Sequence, residues 1–76
     1  MRLFINNVSI SEIQGLLELL IWDGVWPRGS ASAVDGSHKY GIVVVDDANA
    51  SEAIRVLSKT GILVIPEVPI QTFVRD

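Results

Sequence analysis

The chain has 76 residues, of which 49% are hydrophobic and 20% are charged, and its formal net charge is −3. This length allows one domain, which we expect to span residues 1–76, and so high an apolar fraction excludes the composition of a disordered chain. The acidic balance opposes a phosphate backbone, and the absence of cysteine excludes disulfides and thiolate metal sites.

The first predicted elements are a strand and a helix joined by a short polar loop. Leu3 to Asn7 is β-prone and ends in asparagine, which favours a turn. Ser9 lies three residues before Glu12, a spacing in which each side chain caps a free backbone N–H at the start of a helix. The apolar spacing that follows predicts a helix from about Ile10 to Trp22, with Gly24 placed to end it.

The middle of the chain predicts a hairpin. The segment from Val25 to Val34 alternates only in part and contains Pro27, which cannot donate a ladder hydrogen bond, so it predicts a weak strand that is either at an edge or bulged. Asp35-Gly36 favours a tight turn. The run from Tyr40 to Val45 is the strongest strand signal, because residues 42–45 are all β-branched.

The last third of the chain predicts a second helix and one or two short strands. Asn49 lies three residues before Glu52, which predicts a second capping arrangement. Apolar residues then recur on one helical face, and Gly61 is placed to end the helix. Ile62 to Ile65 and Ile70 to Val74 are strand-like, and the prolines between them force a kink or a break.

The resulting order, β-α-β-β-α-β, is that of the ferredoxin-like split βαβ fold. This α+β fold has a four-stranded antiparallel sheet with both helices on one face. We expect its core to consist of Leu3, Ile5, Ile13, Leu16, Leu17, Leu20, Ile42, Val44, Ala53, Ile54, Leu57 and Val64. Periodicity also allows the opposite face of the third strand, with Val43 and Val45, to be the buried one, because residues 42–45 are apolar on both faces.

Three stretches of the chain resemble the ACT domain, a small ligand-binding regulatory module. "GLLELLIWDGV" is similar to its first helix and the glycine after it, "YGIVVVDD" to its third strand, and "AIRVLSKTGILV" to its second helix and last strand. ACT domains usually carry an Asn-x-Pro-Gly-like loop before the first helix. Here Asn7 matches, while Ser9 and Ile10 replace the proline and the glycine, and isoleucine does not allow glycine's close backbone approach to a ligand.

The resemblance implies a non-catalytic regulatory or interaction module that senses an amino acid or another small metabolite at a subunit interface. The candidate ligand-binding residues form the first loop, whose amides lie beside a helix start and would attract a carboxylate: Asn6, Asn7, Val8, Ser9 and Ile10. The alternative interpretation is that the asparagines only turn the chain. A domain this small has a thin core, so we expect at least a homodimer, and a pure protein–protein interaction domain is a further alternative.

A second resemblance is to the RNA recognition motif. "LFINNV" is similar to its first-strand signature, and "HKYGIVVV" overlays its third-strand signature in part. The resemblance implies that Phe4 and Tyr40 would stack on RNA bases, for which both must lie on one open face of the sheet. If Ile42 is in the core, Tyr40 faces the core too, and Phe4 faces the other way. With the acidic net charge, this predicts no RNA binding.

No group of residues supports catalysis or metal binding. His38 lies with Asp35 and Ser37 in one turn, and a catalytic relay needs side chains that converge from separate elements. The adjacent Asp46 and Asp47 are more typical of helix caps than of a cation site. We therefore expect no enzyme activity, no metal and no cofactor.

The remaining features bear on location and on contacts with other chains. Trp22 and Trp26 either fill the core or, if exposed beside a thin edge strand, mark an interface. The small residues of "WPRGSASA" would let another chain approach closely, or else form a mobile edge. No apolar run reaches the ~18 residues of a membrane-spanning helix and no signal peptide is apparent, so we expect a cytoplasmic protein.

Overall fold

The computed structural model describes residues 1–68, and their helices and strands confirm the predicted α+β class. A four-stranded antiparallel sheet has the order β2-β3-β1-β4. A 3-10 turn (Asp47–Asn49) precedes the second helix, and neither helix is long and apolar enough to cross a membrane. The elements are β1 (Arg2–Asn6), α1 (Ile10–Trp22), β2 (Gly29–Asp35), β3 (His38–Val44), α2 (Ala50–Ser58) and β4 (Val64–Pro66).

Several predicted boundaries changed, for local reasons. β2 begins at Gly29 rather than at Val25, because the N–H of Val25 still donates to the last turn of α1 and its side chain is buried. The predicted side-chain cap of Asn49 is wrong, since that side chain makes no capping hydrogen bond and Glu52 pairs with Arg55 instead. The strand predicted over residues 70–74 lies outside the described residues.

One hydrophobic core joins the sheet to both helices. Of the predicted core residues, Leu17, Ile54 and Val64 are half-buried and pack against its edge. The predicted core omitted Val8 and Val25, which lie in loops, and also Val56 and Ala50 of α2, although Ala50 lies on the apolar face predicted for that helix. The buried residues are Leu3, Ile5, Val8, Ile13, Leu16, Leu20, Val25, Val43, Val45, Ala50, Ala53, Val56 and Leu57.

The prediction that Ile42 and Val44 belong to the core is wrong. Both are half-buried on the other face of the sheet, while Val43 and Val45 are 0% and 1% exposed. The reason is Gly41, which faces α1: a Cβ at this position would lie 2.6 Å from Cδ1 of Ile13. The helix approaches β3 so closely that a residue without a side chain is required there, and this sets the face that β3 turns inward.

An ion pair joins the start of β1 to the end of β4. The guanidinium Nη2 of Arg2 donates to Oε2 of Glu67 at 2.7 Å, and the Arg2 backbone N–H donates to Oε1 at 3.1 Å. The Arg2 side chain, and then its backbone N–H, lower the pKa of Glu67 from 4.5 to about 2. The charged form of Glu67 is therefore favoured in the folded state.

Gly41→Ala should destabilise the fold, because the added methyl group meets Ile13 and Val8 at the closest approach of α1 to β3. Such overpacking typically costs about 1–3 kcal/mol. Gly15→Ala is the matched control, since apart from its chain neighbours and the backbone of its own helix no atom lies within 4 Å of the added Cβ, and the helix should gain about 0.5–1 kcal/mol. Urea unfolding of both variants measures the difference, and equal stability of the two would contradict the close approach.

Acid should destabilise the fold partly through Glu67. The pKa of Glu67 is lower in the folded state than its ordinary value of 4.5. The interaction of Glu67 with Arg2 therefore stabilises the fold fully above pH 4.5, and this stabilisation is lost as the pH falls toward about 2. Glu67→Gln should therefore have a melting temperature that falls less than that of the wild type across this window. The control is Glu18→Gln, at an exposed carboxyl that makes no ion pair within residues 1–68. Parallel wild-type and Glu67→Gln curves would refute the prediction.

Candidate functional site

A groove runs between the first turns of α1 and strand β2, and we call it the α1–β2 groove. Its smaller hollow, of about 160 Å³, is lined by Ile10, Ile13, Gln14, Ser30, Ala31 and Ser32. Its larger hollow, of about 310 Å³, is lined by Val8, Ser9, Ile10, Ser32, Ala33, Val34 and Lys39. The two hollows meet at Ile10 and Ser32.

The groove exists because the side chains that β2 turns toward α1 are too short to fill the space between the two elements. Ile13 packs against Gly41 of β3, and the next strand outward is β2. On β2 the side chains that face the helix layer are short, and Ser30, Ser32 and Val34 are all exposed. They leave a gap to α1 that no side chain of residues 1–68 fills.

The five residues predicted to bind a ligand divide into two groups. Val8, Ser9 and Ile10 line the groove; Val8 is also buried in the core, whereas Ile10 is 63% exposed. Asn6 and Asn7 are exposed outside it, and Asn7 adopts a left-handed conformation (φ 59°) that turns the chain toward the helix. Sequence reasoning missed the β2 side of the groove, because only the register of the sheet brings these residues beside the loop.

The start of α1 is already occupied by a carboxylate of the chain itself. The Ser9 backbone N–H donates to Oε1 of Glu12 at 2.8 Å, and the Glu12 N–H donates to the Ser9 hydroxyl at 3.3 Å, which confirms the predicted capping box. The hydrogen bond from the Ser9 backbone, followed by that from its side chain, lowers the pKa of Glu12. The other polar residues that line the groove are Gln14 and Ser30 in the smaller hollow, Lys39 in the larger hollow, and Ser32 in both.

The hydrogen bonds of β1 establish the direction of every backbone group in the sheet. The Asn7 N–H donates to the Lys39 carbonyl at 2.9 Å, and the Val45 N–H donates to the Met1 carbonyl at 3.0 Å. Residues of an antiparallel strand alternate in the side to which their N–H and C=O groups point. Odd-numbered residues of β3 therefore bond to β1, and even-numbered residues bond to β2.

The outer edge of β2 presents unpaired backbone groups. The register pairs even-numbered residues of β3 with odd-numbered residues of β2, such as Ile42 with Ala31. The even-numbered residues Ser30, Ser32 and Val34 therefore direct their N–H and C=O groups outward. β2 is an edge strand, so these groups face no other strand within residues 1–68.

The sheet face opposite the helices, which we call the open face, is apolar at its centre. One cross-strand row runs from Ala31 through Ile42 and Phe4 to Ile65, which is 52% exposed. Tyr40 lies on the same face as Phe4, on the neighbouring strand, and both are half-buried. The prediction that Phe4 faces away from the core is confirmed, whereas the prediction that Tyr40 faces the core is wrong, for the same reason that Ile42 is not in the core.

The other polar residues considered in the sequence analysis are exposed, and Asp46 and Asp47 each form an ion pair within the chain. The predicted capping role of Asp46 is not seen; both its carboxylate oxygens accept from Arg28 at 2.9 Å, which lowers its pKa. Asp47 lies 3.0 Å from the amino nitrogen of Met1. His38 is exposed at the start of β3, and residues 1–68 hold no group of three side chains suited to a metal.

Both tryptophans lie outside the core. Trp22, at the end of α1, is 88% exposed, and Trp26, in the loop before β2, is 67% exposed. Of the two interpretations offered by the sequence, core filling is therefore wrong for both. Their exposure leaves the surface near the end of α1 open to contact with another molecule.

No protein-family model matches the chain, and the search of curated proteins returned no match. Any assignment of function therefore depends on the residues and their geometry.

Proposed function

We propose that the chain is a non-catalytic regulatory module, ferredoxin-like and ACT-like in fold, that binds a small carboxylate-bearing molecule in the α1–β2 groove. The observation that carries the proposal is the set of residues that line the larger hollow, which combines the apolar Ile10 with Ser32, whose side chain carries a hydroxyl, and Lys39, whose side chain carries an ammonium. A mostly apolar concave site with a few convergent polar groups is typical of small-molecule sites.

The order of elements and strands supports the finer fold assignment. The described strands and helices follow the order β-α-β-β-α-β, and β1 and β3 are the two central strands. The buried side chains of both helices belong to one core, together with one face of the sheet. These features are the ones expected of a split βαβ fold.

The chemistry of the larger hollow limits the ligand class. Lys39 would pair with a carboxylate, and the exposed Ile10 would cover a short apolar group. Glu12 makes a second anionic group near the helix start unfavourable, because its own carboxylate already accepts the hydrogen bonds there. A free amino acid or another small monocarboxylate fits these requirements and the volume of the hollow, about 310 Å³.

A second candidate function is the binding of single-stranded RNA on the open face. The observation that favours it is the shared orientation of Phe4 and Tyr40, which the RNA resemblance requires. Two observations oppose it: the net charge is −3, and Arg2, the cation in the central rows of this face, is already paired with Glu67. We therefore rank RNA binding below the regulatory function.

A thermal-shift screen of the twenty amino acids and common small carboxylates tests the regulatory function. A ligand at 100 times its Kd should stabilise the fold by about 2.7 kcal/mol. Lys39→Met should weaken the binding of that ligand by roughly tenfold or more, because a charged hydrogen bond contributes about 1.5–3 kcal/mol. Lys59→Met, at the end of α2 and outside the groove, is the matched control. The proposal fails if no compound shifts the melting temperature, or if Lys39→Met binds the ligand as tightly as the wild type.

Fluorescence anisotropy with a random single-stranded RNA pool tests the second candidate. We expect no binding at about 150 mM salt, because the chain lacks the counterion-release contribution that supplies most non-specific affinity. Sub-micromolar binding that is lost in Phe4→Ala and Tyr40→Ala would make the open face an RNA platform. Phe4 and Tyr40 lie outside the groove, so these variants keep every side chain that lines it.

A further inference from the structure

Four exposed side chains lie together at the end of α1, and we call them the tryptophan patch: Glu18, Leu19, Trp22 and Trp26. Glu18 and Leu19 lie four and three residues before Trp22, so the three are neighbours on the helix surface. Leu19 is 42% exposed, Trp26 67% and Trp22 88%. At about 200 Å² for a whole side chain, the two indoles alone offer roughly 300 Å², which is comparable to the largest apolar patch of a typical monomer.

A Schellman motif holds Trp26 beside the end of the helix. The Val25 N–H donates to the Leu20 carbonyl at 2.9 Å, and Gly24 between them takes the left-handed conformation that this turn requires (φ 89°). Val25 is buried in the core, and Trp26 follows it directly. Four residues of chain separate the Cα atoms of Trp22 and Trp26 by at most about 14 Å, and the turn brings them closer than that.

The charges around the patch are negative. Between Arg2 and Arg28 the chain has no lysine or arginine. The acidic residues of the same stretch are Glu12, Glu18 and Asp23. The last turn of α1 contains no basic residue, so the partial negative charge at the end of the helix is not compensated from within the helix. The surface therefore favours a cation from outside α1.

Two arginines of the chain lie near the patch, and both are paired. Arg28 donates two hydrogen bonds of 2.9 Å to Asp46. Arg55 of α2 pairs within its own helix and lies 3.7 Å from Asp23. Glu18, by contrast, makes no ion pair within residues 1–68, so its carboxylate is left for a cation of another molecule.

We propose that the tryptophan patch binds an arginine-bearing segment of a partner protein. A guanidinium stacks on an indole face and pairs with a carboxylate, and the patch offers both groups at Trp22 and Glu18. A phosphate backbone or an anionic membrane would meet like charge here. A two-fold contact between two copies would likewise bring the carboxylates of both patches together. The patch shares no residue with the α1–β2 groove, so its function is separate from ligand binding.

Tryptophan fluorescence tests the proposal, because both tryptophans of the chain belong to the patch. The probe is a ten-residue peptide of alternating arginine and leucine, and its matched control carries glutamate in place of each arginine. We expect the arginine peptide to shift the emission to shorter wavelength until it saturates, since binding removes the indoles from water. The glutamate peptide should leave the emission unchanged. No shift with the arginine peptide, or equal shifts with both, would overturn the proposal.

Fluorescence anisotropy of the labelled arginine peptide locates the contact. Trp22→Ala should weaken binding roughly tenfold, as truncation of an interface tryptophan does. Glu18→Lys should weaken it more than Asp35→Lys, which changes the net charge equally at the far end of β2, and this difference should shrink at about 500 mM salt. All three side chains are exposed, and circular dichroism verifies that the variants fold. Full binding by Trp22→Ala, or equal effects of the two lysine variants, would refute the location.

The same emission distinguishes other occupants of the patch. A shift that appears on raising the protein concentration without peptide would assign the patch to a second copy, and a shift with vesicles of anionic lipid would assign it to a membrane. Either result would contradict the proposal. Lys39→Met should bind the arginine peptide as tightly as the wild type does, because Lys39 lies in the groove. A failed ligand screen with intact peptide binding would therefore refute the regulatory function alone.

Discussion

The close approach of α1 to β3 at Gly41 is the constraint on which the rest of the structure depends. With Ile13 and Val8 against the bare backbone, β3 can turn only one face toward the helices, and Val43 and Val45 enter the core. A one-residue shift in register would have reversed every side chain of the strand. α1 also lies beside β2, whose short side chains do not fill the space between them, and the groove is the space that remains.

The same constraint accounts for the apolar open face. Residues 42–45 are hydrophobic on both sides of the strand, so whichever set is not buried against the helices must lie on the opposite surface. Tyr40, Ile42 and Val44 are that set, and their cross-strand neighbours include Phe4. An apolar open face is therefore a consequence of a central strand that is β-branched throughout, and it is not by itself a sign of RNA binding.

Local signals predicted the elements well, and contacts between elements were where prediction failed. The capping box at Ser9 and Glu12 placed the start of α1 correctly, because capping depends on residues three apart in the chain. The inward face of β3 depends instead on the contact between Gly41 and Ile13, which are 28 positions apart. The alternation of residues along a strand cannot reveal such a contact. Gly41 was the available signal, since a glycine inside a strand often marks a close approach of another element. The residues of β2 that line the groove could not be predicted from local signals either, because their position beside α1 follows from the pairing of β2 with β3.

The account can be tested most directly at Gly41 by nuclear Overhauser effects in solution. It predicts contacts from the Gly41 α-protons to the δ1 methyl of Ile13 and the γ2 methyl of Val8, since both carbons lie within 2.9 Å of where a Cβ would be. It also predicts contacts between Ile42 and Phe4 on the other side of the sheet. Contacts from the Ile42 methyl groups to Ile13, with none from Gly41, would place the opposite face of β3 against the helix and contradict the account.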